Sequence, residues 1–418
     1  MQLYTILTII VSVCAVFAYL NARFIKLPPA IGIMVLSLLF SVLLITAGRL
    51  VPNFSAAVIK MVGTINFHSL LMNIMLSFLL FAGSIHVKAH SLKRQMLPVA
   101  ILSTVGTLIS TVLVGIMVYF VFGLFNMHIP IIYCLLFGVL ISPTDPIAVL
   151  AILKQAGIPN TLYTKIEGEA LFNDGVAVVV FLALLDVAQT GVQNLSITHS
   201  VLVFIQEACG GLLFGLALGY AGFWLMRPID NYQVEVLITV AMVMGGYQLT
   251  GLLHVSGPLA MIAAGIVTGN TGSGHAMSVT TKEYLDKFWE LVDEIMNAVL
   301  FLLIGLQVLV IPTGITLILT GIATIVIVLL ARWVSVALPV LIMRHKIRFE
   351  KNAIAILTWG GLRGGLSVAM ALSLPVEMYR SQFVAVTYVV VVFSIVVQGL
   401  TIGKVTRVLI ATGNKKVS

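Results

Sequence analysis

Three acidic side chains and an amide lead directly into a long apolar run. The segment Glu167–Asp174, with the sequence EGEALFND, is followed at once by the apolar residues Val176–Leu182. A second apolar run contains Ser142–Pro146, with the sequence SPTDP. An ionisable group at membrane depth is costly and rarely lies there without a task. The two aspartates, Asp145 and Asp174, therefore predict a site that binds a small cation, a proton, or each in turn.

Asp174 is the best candidate for the exchanging group, because a desolvated carboxylate takes either a proton or a cation. Glu169 and Asn173 are four residues apart and share one face of a helix. Asp174 lies about 100° further round the same helix, and the neutral Asn173 leaves this pair with one titratable charge. The alternative interpretation is that Asp174 is a structural, hydrogen-bonded acid.

The prolines at 143 and 146 flank Thr144 and Asp145. Each proline removes an amide donor and disfavours helix in the residue before it, so the backbone is predicted to unwind and free carbonyl groups. Unwound backbone at membrane depth is tolerated where it is buried or lines a wet cavity. The hydroxyl of Thr144, the carboxylate of Asp145 and the freed carbonyls suit an alkali cation. The alternative is a kinked helix whose second half is capped by Asp145.

Two cations lie inside predicted helices. Arg332 is predicted to pair with Glu169, because a buried pair neutralises both charges. Arg363 lies in the glycine-rich run 360–365. It is predicted to offset either the negative ends of unwound backbone or neighbouring carboxylates.

Three further acids, Glu290, Asp293 and Glu294, are predicted to lie in the first turn of a helix over 285–308. Acids in a first turn usually complement the helix dipole. The second interpretation is a cytoplasmic funnel that attracts cations.

The composition indicates a polytopic membrane protein. Of the 418 residues, 60% are hydrophobic and 9% are charged, whereas about a quarter of the residues in a soluble domain are charged. The net charge of +8 arises in loops between apolar runs, so nucleic-acid binding is not expected. No disulfide framework or metal motif is visible, and the three cysteines are predicted to be small buried hydrophobic side chains: Cys14, Cys134 and Cys209.

Apolar runs long enough to cross about 30 Å of hydrocarbon predict thirteen helices. The first is interpreted as a retained helix, since it lacks a preceding basic residue and a cleavage site. The predicted ranges are 3–20, 28–47, 66–87, 96–122, 130–153, 163–188, 199–226, 232–253, 255–270, 285–308, 312–342, 351–374 and 383–410.

The distribution of basic residues predicts the orientation. With the N-terminus outside, the inner loops and the C-terminal tail hold 18 lysines and arginines, and the outer loops hold 3. The positive-inside rule then places the C-terminus in the cytoplasm.

A faint internal symmetry indicates two inverted repeats. Helices 2 and 9 both open with proline after a polar turn, and helices 5 and 12 are both interrupted by proline or glycine. Both pairs are seven helices apart, and an odd offset inverts one half relative to the other. Paired interrupted segments of this kind point to the binding site of a transporter.

The chain resembles the monovalent cation:proton antiporter-1 family, which includes bacterial NhaP-type sodium/proton antiporters and animal sodium/proton exchangers. The resemblance rests on motifs spread over helices 5 to 12: Ser142–Pro146, Glu167–Gly175, His254–Gly257, Ala331–Arg332 and Gly360–Gly364.

The resemblance implies a homodimer in an inner (plasma) membrane, with an NhaA/NhaP-like fold of about thirteen helices. An interface domain would comprise 1–90 (helices 1–3) and 229–310 (helices 8–10). A core domain would comprise 91–190 (helices 4–6) and 311–418 (helices 11–13 and a short tail). Helix 7, in 191–228, would link the two domains, and helices 5 and 12 would unwind and cross near the midplane.

The resemblance also implies roles for the candidate residues. Asp174 would exchange the cation and the proton, with Thr144 contributing to coordination of the ion, and Glu169 would pair with Arg332. Asp145 and Asn173 complete the predicted ion site, and the Asn-Asp pair is similar to that of electroneutral exchangers. The supporting residues at the helix crossing would be Arg363, Gly361 and Gly364.

Ala170 departs from the family pattern, since this position is often a serine whose hydroxyl can ligate the ion. The missing oxygen makes potassium, or a broad range of alkali ions, an alternative to sodium.

The sequence therefore predicts an electroneutral sodium/proton antiporter that works by alternating access, with a function in pH homeostasis and no cofactor. Its transported ions would be H⁺ and Na⁺, with Li⁺ and K⁺ as alternatives. The other candidates are a potassium/proton antiporter, a sodium-coupled organic-anion symporter and an ion channel. An enzyme is not expected, because no set of nucleophile and base is visible.

Overall fold

The computed structural model describes residues 3–48, 52–145, 147–191, 197–275, 278–311, 314–347 and 349–414. Within these residues the chain is all-helical, with short π-helical turns inside several long helices. The α-helices are α1 (Leu3–Leu20), α2 (Pro29–Ala47), α3 (Pro52–Thr64), α4 (Phe67–Leu70), α5 (Leu76–Ile85), α6 (Ala89–Arg94), α7 (Met96–Ile101), α8 (Thr107–Leu124), α9 (Ile131–Ile141), α10 (Ile147–Gln155), α11 (Asn160–Thr190), α12 (Ile197–Met226), α13 (Tyr232–Leu253), α14 (Gly257–His275), α15 (Val279–Gln307), α16 (Ile315–Met343), α17 (Ala353–Trp359), α18 (Gly365–Ser373), α19 (Arg380–Phe393) and α20 (Gly399–Asn414).

Nine helical stretches of the described residues are long and apolar enough to cross a membrane. Each of the thirteen predicted ranges contains helix, which confirms the polytopic all-α class. The number of thirteen crossings and the inverted-repeat relation stay predictions. Two short helices, α3 and α6, lie where loops were expected.

Local sequence explains where several helices begin. Asn231 caps α13 by accepting hydrogen bonds from the amides of Gln233 and Val234. Ser278 caps α15 by accepting one from the amide of Thr281. Such caps satisfy amides that have no partner within the helix. Helix α15 therefore begins at Val279, six residues before the predicted start.

The helices pack as two groups that meet along α11 and α14. In the first group α5 packs on α14 and α15, and α15 also packs on α2. In the second group α8 packs on α9 and α16, and α19 packs on α16 and α18. Glycines allow close approach within both groups, since a Cβ atom on Gly138 would meet the carbonyl of Thr111 and one on Gly269 would meet that of Ile85.

The cysteines follow the prediction in two of three cases. Cys14 and Cys134 are buried, whereas Cys209 is exposed on the outer side of α12. The prediction was wrong for Cys209. A helix that is apolar on all sides gives no sequence signal for which of its side chains are buried and which are exposed.

Candidate functional site

Two broken helices cross at the centre of the second group. Helix α9 ends at Ile141 and continues as α10 from Ile147, and α17 ends at Trp359 and continues as α18 from Gly365. The backbone amide of Asp145 donates a 2.8 Å hydrogen bond to the carbonyl of Leu362, so the two breaks are joined directly. The predicted unwinding around the SPTDP and glycine-rich runs is therefore present in the described residues.

Arg363 neutralises the carbonyl end of α9. Its Nη1 atom donates hydrogen bonds to the carbonyls of Ser142 (2.7 Å) and Pro143 (3.2 Å). The backbone amide of Arg363 donates to the hydroxyl of Ser394 at 2.8 Å. A cation at a helix C-terminus is favourable. Arg363 was predicted to offset either unwound backbone or neighbouring carboxylates, and in the structure its hydrogen bonds go to the unwound backbone.

Asn173 and Thr144 bind each other across the gap between α11 and the first break. The Nδ2 atom of Asn173 donates to the hydroxyl of Thr144 at 2.8 Å, and the amide of Thr144 donates to Oδ1 of Asn173 at 3.3 Å. Both side chains are buried. This reciprocal pair fixes the face of α11 against the break, and Asp174 is the next residue along α11.

Glu169 and Arg332 form a bidentate ion pair. The distances are 2.5 Å from Nη1 to Oε1 and 2.9 Å from Nη2 to Oε2. Nε and Nη2 of Arg332 also donate to the carbonyl of Leu357 in α17. The pair therefore ties α11 to α16 and to one of the broken helices, with both charges buried.

Asp174 and Asp145 line one cavity of about 270 Å³, here called the site cavity. Both side chains are partly buried. Thr144 and Asn173, which precede the two acids in the chain, are not among the residues that line the cavity. The structure thus brings all four predicted ion-site residues together, with the two carboxylates facing the open space.

Three residues on one side of the site cavity also line a second cavity of about 350 Å³: His86, Tyr163 and Glu167. This second cavity, the outer cavity, includes Lys88 and Lys154. The shared residues place the outer cavity directly beside the site cavity, and its lining carries two lysines and one acid.

The acids of α15 do not lie where the sequence indicated. Because α15 begins at Val279, its first turn contains no acid, and the dipole interpretation of Glu290, Asp293 and Glu294 is wrong. Asp293 instead lines the site cavity together with Asp145 and Asp174. The sequence analysis missed this convergence, because nothing in a sequence shows which faces of distant helices meet.

Two glycines allow the close contacts at the crossing. A Cβ atom on Gly361 would lie 2.6 Å from Nε of Arg332, and one on Gly364 would meet the carboxylate of Asp145. Gly361 and Gly364 therefore leave room for these two side chains, which matches their predicted place at the crossing.

A second ion pair was missed. Lys165 lies in α11 with 1% exposure and donates to both carboxylate oxygens of Glu350, at 3.2 and 2.9 Å. Thr161 donates a further hydrogen bond to Glu350. Partial burial opposes ionisation of Glu350, but the hydrogen bonds from Thr161 and Lys165 prevail and hold its pKa below the usual range.

The fold and the crossing define a polytopic, all-helical membrane protein, and comparison with known proteins identifies its family. Residues 10–408 match the family described as "Sodium/hydrogen exchanger, transmembrane". The chain is 46% identical over 402 residues to the Na⁺/H⁺ antiporter NhaP of Pseudomonas aeruginosa. The aligned residues make up 95% of this chain and 95% of the relative. The chain is 34% identical over 407 residues to the Na⁺/H⁺ antiporter NhaH of Halobacillus dabanensis, which covers 96% of this chain and 95% of the relative.

The fold agrees with a solved structure. The sodium proton antiporter MjNhaP1 from Methanocaldococcus jannaschii at pH 8 matches with a TM-score of 0.75 and 18% identity, over 98% of this chain and 99% of that one. The resemblance inferred from the motifs is confirmed: the chain belongs to the sodium/hydrogen exchanger family, a family of transporters rather than enzymes.

Proposed function

We propose that the protein is an electroneutral sodium/proton antiporter in which Na⁺ and H⁺ compete for Asp174. The observation that carries the proposal is the site cavity, where Asp174 faces Asp145 beside the crossing of two broken helices. Relatives that align over nearly the whole chain are named Na⁺/H⁺ antiporters, which supports sodium as the cation.

Each residue of the site contributes a distinct part. Asp174 carries the proton and releases it when the cation binds, so that one charge is exchanged for one. Asp145 adds a second carboxylate to the cavity, and Thr144 and Asn173, which precede the two acids in the chain, supply hard oxygen atoms. The hydrogen bonds between Thr144 and Asn173 hold those oxygens in place, whether Asp174 carries a proton or a cation.

The neighbouring charges keep this arrangement rigid. Arg332 neutralises Glu169 and holds it away from the ion. Arg363 neutralises the carbonyls of the first break, and Gly361 and Gly364 let the chain segments approach. These residues support the site without exchanging an ion.

Transport requires the site to face each side of the membrane in turn. The proposed core (91–190 and 311–418) contains the crossing, and it moves relative to an interface domain (1–90 and 229–310) joined to it through 191–228. The working unit is a homodimer in the inner (plasma) membrane, with the N-terminus outside and the C-terminus in the cytoplasm.

A potassium or broad alkali-cation antiporter is the second candidate. Ala170 is 2% exposed and its side chain carries no oxygen, so the ion lacks the hydroxyl ligand that the family pattern implies at this position. A larger, more weakly hydrated cation tolerates that loss better. An organic-anion symporter fits less well, since the acids that line the site cavity would repel an anion.

Proteoliposomes with an internal pH dye test the function and the ion together. External Na⁺, Li⁺ and K⁺ are applied in turn at equal ionic strength, with choline as the control. We expect Na⁺ and Li⁺ to drive proton release. Release by K⁺ alone would replace sodium with potassium, and no release by any of the three would contradict the antiporter proposal.

A further inference from the structure

A third cavity, of about 520 Å³, lies against α15. It is bounded by α1, α2, α10 and α15, and we call it the α15 cavity. Its polar lining comes from α15 alone: Glu290, Asp293, Glu294 and Asn297. Asp293 lines both this cavity and the site cavity, so it stands at the boundary between them.

Asn297 is the unusual member of this group. It is 4% exposed, and neither its Nδ2 nor its Oδ1 atom has a hydrogen-bond partner among the residues that the structure describes. The Oδ1 atom of Asp293, one helical turn away, is likewise buried without a partner in that part of the chain. The side chains of Asn297 and Asp293, one helical turn apart, are close enough to approach a hydrogen bond from the amide to the carboxylate. That contact leaves the Oδ1 atom of Asn297 without a partner among the described residues. Buried polar groups are almost always hydrogen-bonded, so this oxygen beside a carboxylate calls for a ligand.

The charges nearby favour a cation as that ligand. Glu290 and Glu294 lie on the same face of α15 and line the same cavity. The outer cavity, by contrast, is lined by Lys88 and Lys154 with Glu167 as its one acid, so its net positive charge repels a cation. Of the two cavities adjoining the site cavity, the α15 cavity therefore has the sign of charge that attracts Na⁺.

We propose that Asp293 and Asn297 form a second cation site, which receives the transported monovalent cation from the α15 cavity before it reaches Asp174. The amide oxygen of Asn297 and the carboxylate of Asp293 supply the hard oxygen ligands, and Glu290 and Glu294 raise the local cation concentration. The site lies on α15, outside the crossing, and its role in transport rests on the proposed function.

Kinetics in proteoliposomes test the site through its effect on cation capture. The variants are Asp293→Asn and Asn297→Leu, and Glu283→Gln is the matched control because Glu283 is an exposed acid on the same helix, paired with Lys287. We expect both site variants to raise the apparent KM for Na⁺ about tenfold, the equivalent of one lost charge-assisted contact. For Asn297→Leu, whose side chain does not line the site cavity, the rate at saturating Na⁺ should stay within about twofold of wild type.

Asn297→Leu separates a binding role from a structural one. Leucine fills a similar volume and leaves no unpaired amide, so the melting temperature should not fall. A normal melting temperature with a raised KM supports the site. An unchanged KM, or a fall in kcat with KM unchanged, would overturn it, and the result with Asn297→Leu stands even where Asp293→Asn does not fold.

Binding without transport distinguishes this inference from the proposed function. In an Asp174→Asn protein, NaCl should raise the melting temperature relative to choline chloride at equal ionic strength, because a bound ligand stabilises the folded state. Adding Asp293→Asn should remove that rise. If NaCl does not raise the melting temperature of the Asp174→Asn protein, the second site is contradicted. If the wild-type protein shows no cation-driven proton exchange, the antiporter function alone is contradicted.

Discussion

The backbone amide of Asp145 donates a hydrogen bond to the carbonyl of Leu362, and this bond joins the two broken helices at the point where each is unwound. Arg363 reinforces the junction by binding the carbonyls of Ser142 and Pro143. The backbone groups freed by both breaks therefore satisfy each other, as buried backbone must at membrane depth. The carboxylate of Asp145 is left facing the site cavity opposite Asp174.

Gly364→Ala should block the site without strain in the backbone. Gly364 has φ −120° and ψ −159°, which alanine adopts freely, but its Cβ atom would meet the carboxylate of Asp145. Overpacking of this kind costs about 1–3 kcal/mol, and here it would displace Asp145, a proposed ion ligand. We expect cation-driven proton flux to fall at least tenfold per folded protein.

Gly245→Ala is the control for that substitution, because a Cβ atom there meets nothing within 4 Å. Its flux should match wild type. Normal flux in Gly364→Ala would show that the position of Asp145 is not critical.

Loss of either partner of the Glu169–Arg332 pair should destabilise the protein strongly. Each single alanine variant leaves a buried charge alone, which typically costs 3–5 kcal/mol. The double variant should lose less than the sum of the two singles, because no charge remains unpaired. Melting temperatures in detergent give the cycle, and flux should fall in step with the amount of folded protein.

Two outcomes would contradict this assignment. Strictly additive losses would show that the two side chains do not interact in the membrane protein. Normal stability with a lost sodium dependence in Glu169→Ala would place Glu169 in the ion site.

The Lys165–Glu350 pair should stabilise the fold in a pH-dependent way. The pKa of Glu350 is lowered in the folded protein, so its stabilisation is present above the unfolded value and is lost as the pH falls through the folded value. Glu350→Gln should lower the melting temperature at pH 7. The difference from wild type should shrink once the pH falls below about 4.3, the usual value for glutamate.

Glu377→Gln provides the comparison, since Glu377 is exposed. It should change the melting temperature little at either pH. The melting temperatures of wild type and Glu350→Gln are compared from pH 7 into the acid range. If their difference stays constant, the ion pair is not its cause.

Exchange should be electroneutral. The Asn173–Asp174 pair holds one titratable charge, so one proton is exchanged for one monovalent cation. The sodium-driven rate should not respond to a membrane potential set by valinomycin and potassium, with a leak control. A clear response would contradict 1:1 exchange. Asn173→Asp alone is not expected to create electrogenic transport, because a second carboxylate would also shift both proton affinities.

The sequence predicted the parts of the fold that depend on local pattern. Proline and glycine marked both breaks correctly, because two prolines or four glycines close together remove or weaken several helical hydrogen bonds at one place. A single proline does not suffice, since Pro339 lies inside the continuous helix α16. The contact between Glu169 and Arg332 could also be predicted. Few charged residues lie in the apolar runs, and each buried charge needs a partner of opposite sign.

The parts that depend on convergence could not be predicted. The start of α15 was misplaced because Val279–Glu283 is polar and resembles a loop, and this error moved Asp293 into a first turn. The meeting of Asp293 with Asp174 depends on the rotation and packing of α15, which no local pattern encodes. The contact of Lys165 with Glu350 was missed for the same reason, since no local pattern pairs two residues so far apart in the chain.

The most direct test of the account is cation-driven proton flux in proteoliposomes containing Asp174→Asn. Asparagine is nearly isosteric with aspartate, so the variant should fold and form the same helix crossing, but it cannot exchange a proton for a cation. The account predicts no Na⁺-driven flux above protein-free liposomes, with the melting temperature close to that of wild type. Substantial Na⁺-driven flux from well-folded Asp174→Asn protein would contradict it.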